Sequence, residues 1–269
     1  NEELGYSTIA YWSNPAGGLY KSEDGGESWN LINSDFGDCV IAVSAENGAL
    51  FLGNDDGLHK STDGGTTVDL IIEGTIRDIA TVFSNPSKVW VSTIDRLLYS
   101  DDIGDTFEEV ESTEYPDNIN ALEISPANTN HIAVWNKEGQ YNHPIYSSTD
   151  GGITWIKAQF DKTNAFMPFN GRQHKFAWHP TNENKVWSFG GDCITSSSDG
   201  GKKFEWDANG YTGILVGGKF NFNIFNPDLL YVASQDYNGT FTKNGGKTWK
   251  YCNASGNSWG GFTYGAYAA

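Results

Sequence analysis

Three observations predict an all-β repeat fold. The stretch Ser148-Thr149-Asp150-Gly151-Gly152-Ile153-Thr154-Trp155 is one of six similar copies, which begin at Ser22, Ser61, Ser100, Ser148, Ser197 and Thr242. The copies follow one another at a period of about 40 to 50 residues, the length of one four-stranded propeller blade. Between them run short apolar segments rich in Val, Ile and aromatic residues, without the 3.6-residue spacing of an amphipathic helix. The prediction is a β-propeller of four-stranded antiparallel blades, six in number, forming a single domain over residues 1–269.

Each residue type in the repeated stretch has a mechanical task. Gly takes φ > 0 without steric cost, so Asp-Gly-Gly marks a tight turn. The Asp carboxylate accepts hydrogen bonds from backbone N–H groups of its own turn. The Ser or Thr ends the preceding strand, and the terminal aromatic residue, as in Trp29, Trp155 and Trp249, starts the next one with a large apolar face. The aspartates are therefore expected to hold hairpins shut rather than to do chemistry.

Taken in order, the chain has room for two strands before the first hairpin, at 6–12 and 18–22. The second unit places strands at 39–44 and 49–53, joined through Glu46-Asn47-Gly48. The third is the plainest: 76–82, a turn at Ser84-Asn85-Pro86, then 88–92, 97–100 and, past the hairpin, 106–110. Later units repeat a proline turn, at Ser125-Pro126, His179-Pro180 and Asn226-Pro227, each followed by an apolar strand at 131–135, 185–189 and 229–234. The stretch 160–173 is the least repeat-like and is expected to form a lid or a partner contact. After the last hairpin come 248–252 and a final strand at 261–267, which is expected to complete the N-terminal blade and hide the sheet edges of a linear array. The competing account is a fragment of a longer chain, and the Asn1 start reads as interior or processed.

The charge excludes some partners. Asp and Glu total 34 against 17 for Lys and Arg, a net charge of -17. Nucleic acid and anionic membrane surfaces call for basic patches, so neither is an expected partner. No apolar run reaches the roughly 18 residues of a spanning helix, and no signal peptide opens the chain. Cys39, Cys193 and Cys252 lack zinc-site spacing and read as buried free thiols; no metal or cofactor is expected. Asn238-Gly239-Thr240 and Asn253-Ala254-Ser255 fit the glycosylation pattern.

The six copies resemble the Asp-box, or BNR, repeat, Ser-x-Asp-x-Gly-x-x-Trp, over nearly the whole chain. Three of them end on Val68, Phe107 and Phe204 instead of Trp, and the last has Asn244 for Asp. Families with this repeat include sialidases, xyloglucan-cleaving endoglucanases of the two-propeller type, sortilin-like receptors and photosystem assembly factors. The recurring proline turn and apolar strand look most like the xyloglucanase and sortilin-like branch. A sialidase resemblance implies an arginine triad. The chain has three arginines, Arg77, Arg96 and Arg172, but lacks the Arg-Ile-Pro opening, so a coincidental count is the favoured account. A xyloglucanase resemblance implies a cleft between two propellers, each giving an Asp, so that this chain supplies half of it and a second propeller is a candidate partner.

The hairpins lie between third and fourth strands, so the loops entering first strands and those joining second to third strands share the opposite face. Binding residues are expected there. The candidate acids are Asp38, Asp117, Glu138 and Asp236, and the candidate sugar platforms are Trp12, Tyr141, Tyr237 and Trp259. Arg77, Arg96, Arg172 and His174 are candidate substrate contacts. Carboxylates, amides and aromatic rings are the groups that bind sugars. The expected function is a secreted or cell-surface carbohydrate-active propeller, a glycoside hydrolase or part of one, using a carboxylate pair on this face. The alternative is a non-catalytic propeller that binds a glycan or a protein.

Overall fold

The computed structural model describes residues 8–112, 115–136, 143–161, 175–190, 193–207, 220–223, 225–232 and 240–251. Every regular element among them is a strand, and the strands form six sheets. The first sheet has three strands, β1 (Ala10–Asn14), β2 (Gly18–Ser22) and β3 (Asn30–Asn33). The second runs β4 (Val40–Val43), β5 (Leu50–Gly53), β6 (Gly57–Ser61) and β7 (Asp69–Glu73). The third runs β8 (Ile76–Val82), β9 (Asn85–Thr93), β10 (Leu97–Ser100) and β11 (Glu108–Glu109). The fourth holds β12 (Ile119–Ile124), β13 (Ile132–Asn136), β14 (Ile145–Ser148) and β15 (Ile156–Lys157).

The fifth sheet has five strands. β17 (Lys175–Trp178), β18 (Val186–Gly190), β19 (Cys193–Ser197) and β20 (Lys203–Trp206) follow in order, and β16 (Gln159–Asp161) lies outside β20. The sixth holds β21 (Phe220–Phe222), β22 (Leu230–Val232), β23 (Thr240–Thr242) and β24 (Lys250–Tyr251). The chain divides into two compact units, one of Asn1–Lys137, Tyr146–Ile156 and Trp178–Glu183, the other of Glu138–Ile145, Lys157–Ala177 and Asn184–Ala269.

Strand position in the sheet tracks apolar content. β5, in the middle of the second sheet, reads Leu50-Phe51-Leu52 and is buried throughout, as a strand covered on both faces must be. The outer strand of the third sheet, β11, is a pair of exposed glutamates. Each pair of consecutive sheets in the first unit encloses its own apolar cluster. Leu19, Leu50 and Leu52 fill the first, Phe51, Val89, Val91 and Leu98 the second, and Trp90, Leu122, Val134 and Trp155 the third. The first strands stand beside one another, β4 beside β8 and β8 beside β12.

All six hairpins are built alike. In each, the Ser or Thr hydroxyl accepts from the N–H of the second glycine at 2.8–3.1 Å. The Asp or Asn oxygen accepts from the N–H four residues on at 2.9–3.0 Å. The indoles of Trp29 and Trp155 donate back to the glycine carbonyls, at 3.1 and 2.9 Å. In the second, third and fourth hairpins the second glycine position, at Gly65, Gly104 and Gly152, is also where the hairpin meets the preceding sheet. A Cβ on Gly104, at φ +74, would stand 2.6 Å from Cε1 of Phe51.

Two expectations change. The turn into β9 lies at Phe83-Ser84, because Val82 pairs with Asn85. Pro86 falls in the irregular stretch opposite Thr81 and Val82, where no ladder donor is needed, and its carbonyl accepts from Ser44 Oγ at 2.8 Å. The irregular stretch 160–173 begins as a strand, since β16 pairs parallel with β20 through Phe160 and Phe204. Residues 162–174 and the expected strand at 261–267 lie outside the described residues. Cys39 is a half-buried free thiol.

Candidate functional site

The sheet ends away from the hairpins are joined by a repeated backbone contact. The turn linking second to third strands in one sheet accepts from the segment entering the first strand of the next. Ile76 N donates to Asn54 O at 2.9 Å and Gly74 N to Asp56 O at 3.1 Å. One sheet further on, Asn118 N donates to Ile94 O at 3.2 Å. At the first sheet, Ser13 Oγ donates to Cys39 O at 3.0 Å.

Local chemistry shapes both turns. Asn54 Oδ1 accepts from the N–H groups of Asp56 and Gly57, each at 3.0 Å, which folds Asn54–Gly57 tightly. Thr93 Oγ1 accepts from Arg96 N at 2.9 Å and donates to Asp95 Oδ1 at 3.0 Å, doing the same at Thr93–Arg96. Asn118 sits at φ 57, the left-handed region that asparagine tolerates.

Five of the predicted site residues are described. Asp38 is exposed beside Cys39, whose thiol is pushed up to about 11 mainly by burial, with Asp38 adding to the rise and a Ser13 hydrogen bond opposing it. Asp117 is exposed beside Asn118, so the Asn118–Ile94 bond brings it next to the turn that carries Asp95 and Arg96. Arg96 Nε lies 3.7 Å from Asp95 Oδ1, a loose, half-exposed pair. Its side chain edges a groove of about 610 Å³ shared with Ile71, Glu73 and Phe107.

Arg77 is exposed in a bulge, because pairing skips from Ile76 to Asp78. Asn120 occupies the same kind of bulge in β12. Trp12 is half-exposed, with its ring against Tyr20 at 5.5 Å and Trp29 at 6.0 Å on the surface of the first sheet. Glu138, Asp236, Tyr141, Tyr237, Trp259, Arg172 and His174 lie outside the described residues.

The hairpin carboxylates have other work. Hydrogen bonds from Thr67 N and Oγ1, with Ser61, bring the Asp63 carboxyl down to about 2. Asp24 and Asp102 are held below the usual range by their Ser28 and Thr106 partners. At Asp150 burial pulls upward, but bonds from Thr154 and Ser148 outweigh it. Carboxylates held ionised inside a turn do not serve as general acids.

Two residues went unforeseen. Asp78, buried in β8, accepts from Leu122 N at 3.0 Å and ties the third sheet to the fourth. Its signal was a charged residue inside an apolar first strand. Asn136 ends β13 opposite Ile119, buried, with no partner for Oδ1 among the described residues. Among the described residues no group of three or more His, Cys, Asp or Glu side chains is placed to hold a metal, and no helix is long and apolar enough to cross a membrane.

No family model matches the chain, and no curated protein matches it in sequence. Solved structures do. The GH74 enzyme of Niastella koreensis is 17% identical with a TM-score of 0.62, over 93% of this chain and 49% of that one. The GH74 xyloglucanase of Xanthomonas campestris is 14% identical with a TM-score of 0.59, over 90% and 50%. YCF48 bound to D1 peptide is 15% identical with a TM-score of 0.54, over 90% and 76%. At these identities the likeness shows the fold, a β-propeller. The chain spans about half the length of the two GH74 enzymes.

Proposed function

We propose that this β-propeller, of the Asp-box class, is a secreted protein that recognises a glycan on the face opposite its hairpins and contributes carboxylates to glycosidic cleavage there. The observation that supports this most is the repeated contact joining Asn54–Asp56 to Gly74–Ile76 and Ile94 to Asn118, which gathers Asp117, Arg96 and Arg77 at one end of the first unit's sheets. The hairpin aspartates are meanwhile consumed by their own turns. Two solved structures that share the fold are GH74 enzymes, one a xyloglucanase.

In this reading one carboxyl among Asp38, Asp117, Glu138 and Asp236 protonates the leaving oxygen, and its partner activates water or attacks the sugar. Their separation decides the outcome, about 6.5–9.5 Å for inversion and about 5–5.5 Å for retention. Trp12, Tyr141, Tyr237 and Trp259 offer faces to the sugar C–H groups, and Arg77, Arg96, Arg172 and His174 fix its hydroxyls. Since the chain spans about half of the GH74 enzymes, a second propeller completes the cleft.

Electrophoresis through gels cast with xyloglucan, beside a reducing-end assay, tests this. Retention is expected from the chain alone, and sugar release once a second propeller completes the cleft. Asp117→Asn or Asp236→Asn should keep the retention and lower release by about 10²–10⁴-fold. A chain that migrates freely through every polysaccharide removes the glycan reading. A second reading, recognition without chemistry, is favoured by one observation: the chain covers 76% of YCF48, a propeller solved with a peptide. Retention with no release even beside a second propeller supports it.

A further inference from the structure

The fifth sheet shows how this fold lengthens a sheet at its outer edge. β16 lies parallel to β20, with Phe160 stacked on Phe204 at 5.7 Å and Asp161 reaching Lys203 Nζ at 3.0 Å. The third sheet has the same frame. Val110 N donates to Leu97 O as Asp207 N donates to Ile194 O, and Glu108 faces Tyr99 as Glu205 faces Ser196. Counted from their hairpin serines, Thr106-Phe107-Glu108 therefore correspond to Lys203-Phe204-Glu205. In the third sheet β11 is the outermost strand.

A groove of about 1010 Å³ runs along that edge, between β11 and the fourth hairpin. Trp90 and Tyr99 line it together with Glu109, Val110, Glu111 and Ile153. The rings already hold one ammonium: Lys88 Nζ stands 5.8 Å from the Trp90 ring and 5.4 Å from Tyr99, with Asp101 at 3.0 Å. Glu109 and Glu111 are exposed and have no cationic partner among the described residues. The indole N–H of Trp90, 1% exposed, has no acceptor among the described residues. In the fifth sheet the corresponding Trp187 donates to Asp207 at 3.0 Å, whereas the third sheet has Val110 at that place. A buried donor without a partner costs about 1–3 kcal/mol, so the third sheet's outer side lacks a bond that the fifth sheet has.

We propose that the outer edge of the third sheet binds an extended cationic peptide segment as an added strand, in the manner of β16 on β20. Its backbone pairs along Thr106–Glu109. Its Lys or Arg side chains meet Glu109 and Glu111, and its apolar side chains lie against Val110 and the exposed Ile153. The proposal uses none of the residues on the face assigned to the glycan.

The test is fluorescence anisotropy with a fluorescein-labelled octapeptide of alternating lysine and valine, with amide hydrogen exchange on the complex. Binding is expected, with slowed exchange over residues 106–109. Glu109→Gln with Glu111→Gln should weaken it about three- to tenfold, as two exposed ion pairs would. Glu23→Gln with Glu27→Gln removes equal charge from the first hairpin and should leave affinity unchanged. Equal losses in the two glutamate pairs, unaltered exchange at 106–109, or equally tight binding of spermine would overturn the proposal.

Discussion

The third and fifth sheets carry the same sequence device and finish it differently. Both second strands read Lys-Val-Trp, at Lys88-Val89-Trp90 and Lys185-Val186-Trp187, and in both the ammonium lies over the indole, at 5.8 and 5.1 Å. In the fifth sheet Asp207 takes the indole N–H and lies 4.0 Å from the lysine, and β16 covers the outer strand. In the third sheet Val110 gives no acceptor, and the lysine finds Asp101 instead. The shared hairpin fixes the backbone of both. One position past it, and one added strand, separate an edge that is closed from within from an edge that no described strand covers.

The sharpest break in that comparison is at the hairpin phenylalanines. Phe204 is fully buried and stacked under Phe160, while its counterpart Phe107 is half-buried. Phe204→Ala should cost about 3–5 kcal/mol, and Phe107→Ala clearly less. Urea unfolding of both variants measures this, and equal costs would show that β16 adds nothing to the fifth sheet. Next in size is Asp207→Val, which copies the third sheet into the fifth. It strands the Trp187 N–H and should cost about 1–3 kcal/mol in the same assay. No loss there would mean that Trp90 loses nothing by lacking an acceptor.

Acid should weaken the hairpin of the third sheet. The Thr106 hydroxyl and N–H hold the Asp102 carboxyl below its ordinary 3.8. A carboxyl depressed in the folded state contributes stability that is fully present above the unfolded value and is lost as pH falls toward the folded one. The urea midpoint should therefore fall as pH drops below about 4, with Asp63 losing its share near about 2. Asp102→Asn should lessen that fall, since Asn244 fills the same place in the sixth hairpin through an uncharged oxygen. An unaltered pH profile in the variant would show that the Asp102 bonds contribute no pH-linked stability.

The repeat made much of this legible. Six hairpins at one period imply strands between them, and the alternation of turns implies that the remaining loops share an end, where Asn54, Ile94 and their partners meet. What stayed hidden depends on pairing between distant segments. β16 joins a strand more than forty residues later and runs parallel to it, so no hairpin signal marks it. Val110 is an ordinary apolar residue until its bond to Leu97 O shows that it stands where Asp207 stands in the fifth sheet. Asp78 is a charged residue inside an apolar first strand, and its partner is the backbone of Leu122, forty-four residues on.

The smallest expected effect concerns the hairpin turns themselves. Gly200 takes φ 79 in the fifth hairpin, and the corresponding residue in the third is Ile103, held at φ 61. A left-handed conformation costs a β-branched residue about 1–2 kcal/mol. Ile103 recovers part of that by packing against the cluster of Phe51, Val89 and Leu98. Ile103→Gly removes the strain, the contact and the restriction on the unfolded chain together, so the net change should stay within about 1 kcal/mol. Gly200→Ile imposes the strain on a buried position and should cost more. A large loss in Ile103→Gly would show that packing, not turn geometry, keeps an isoleucine in the third hairpin.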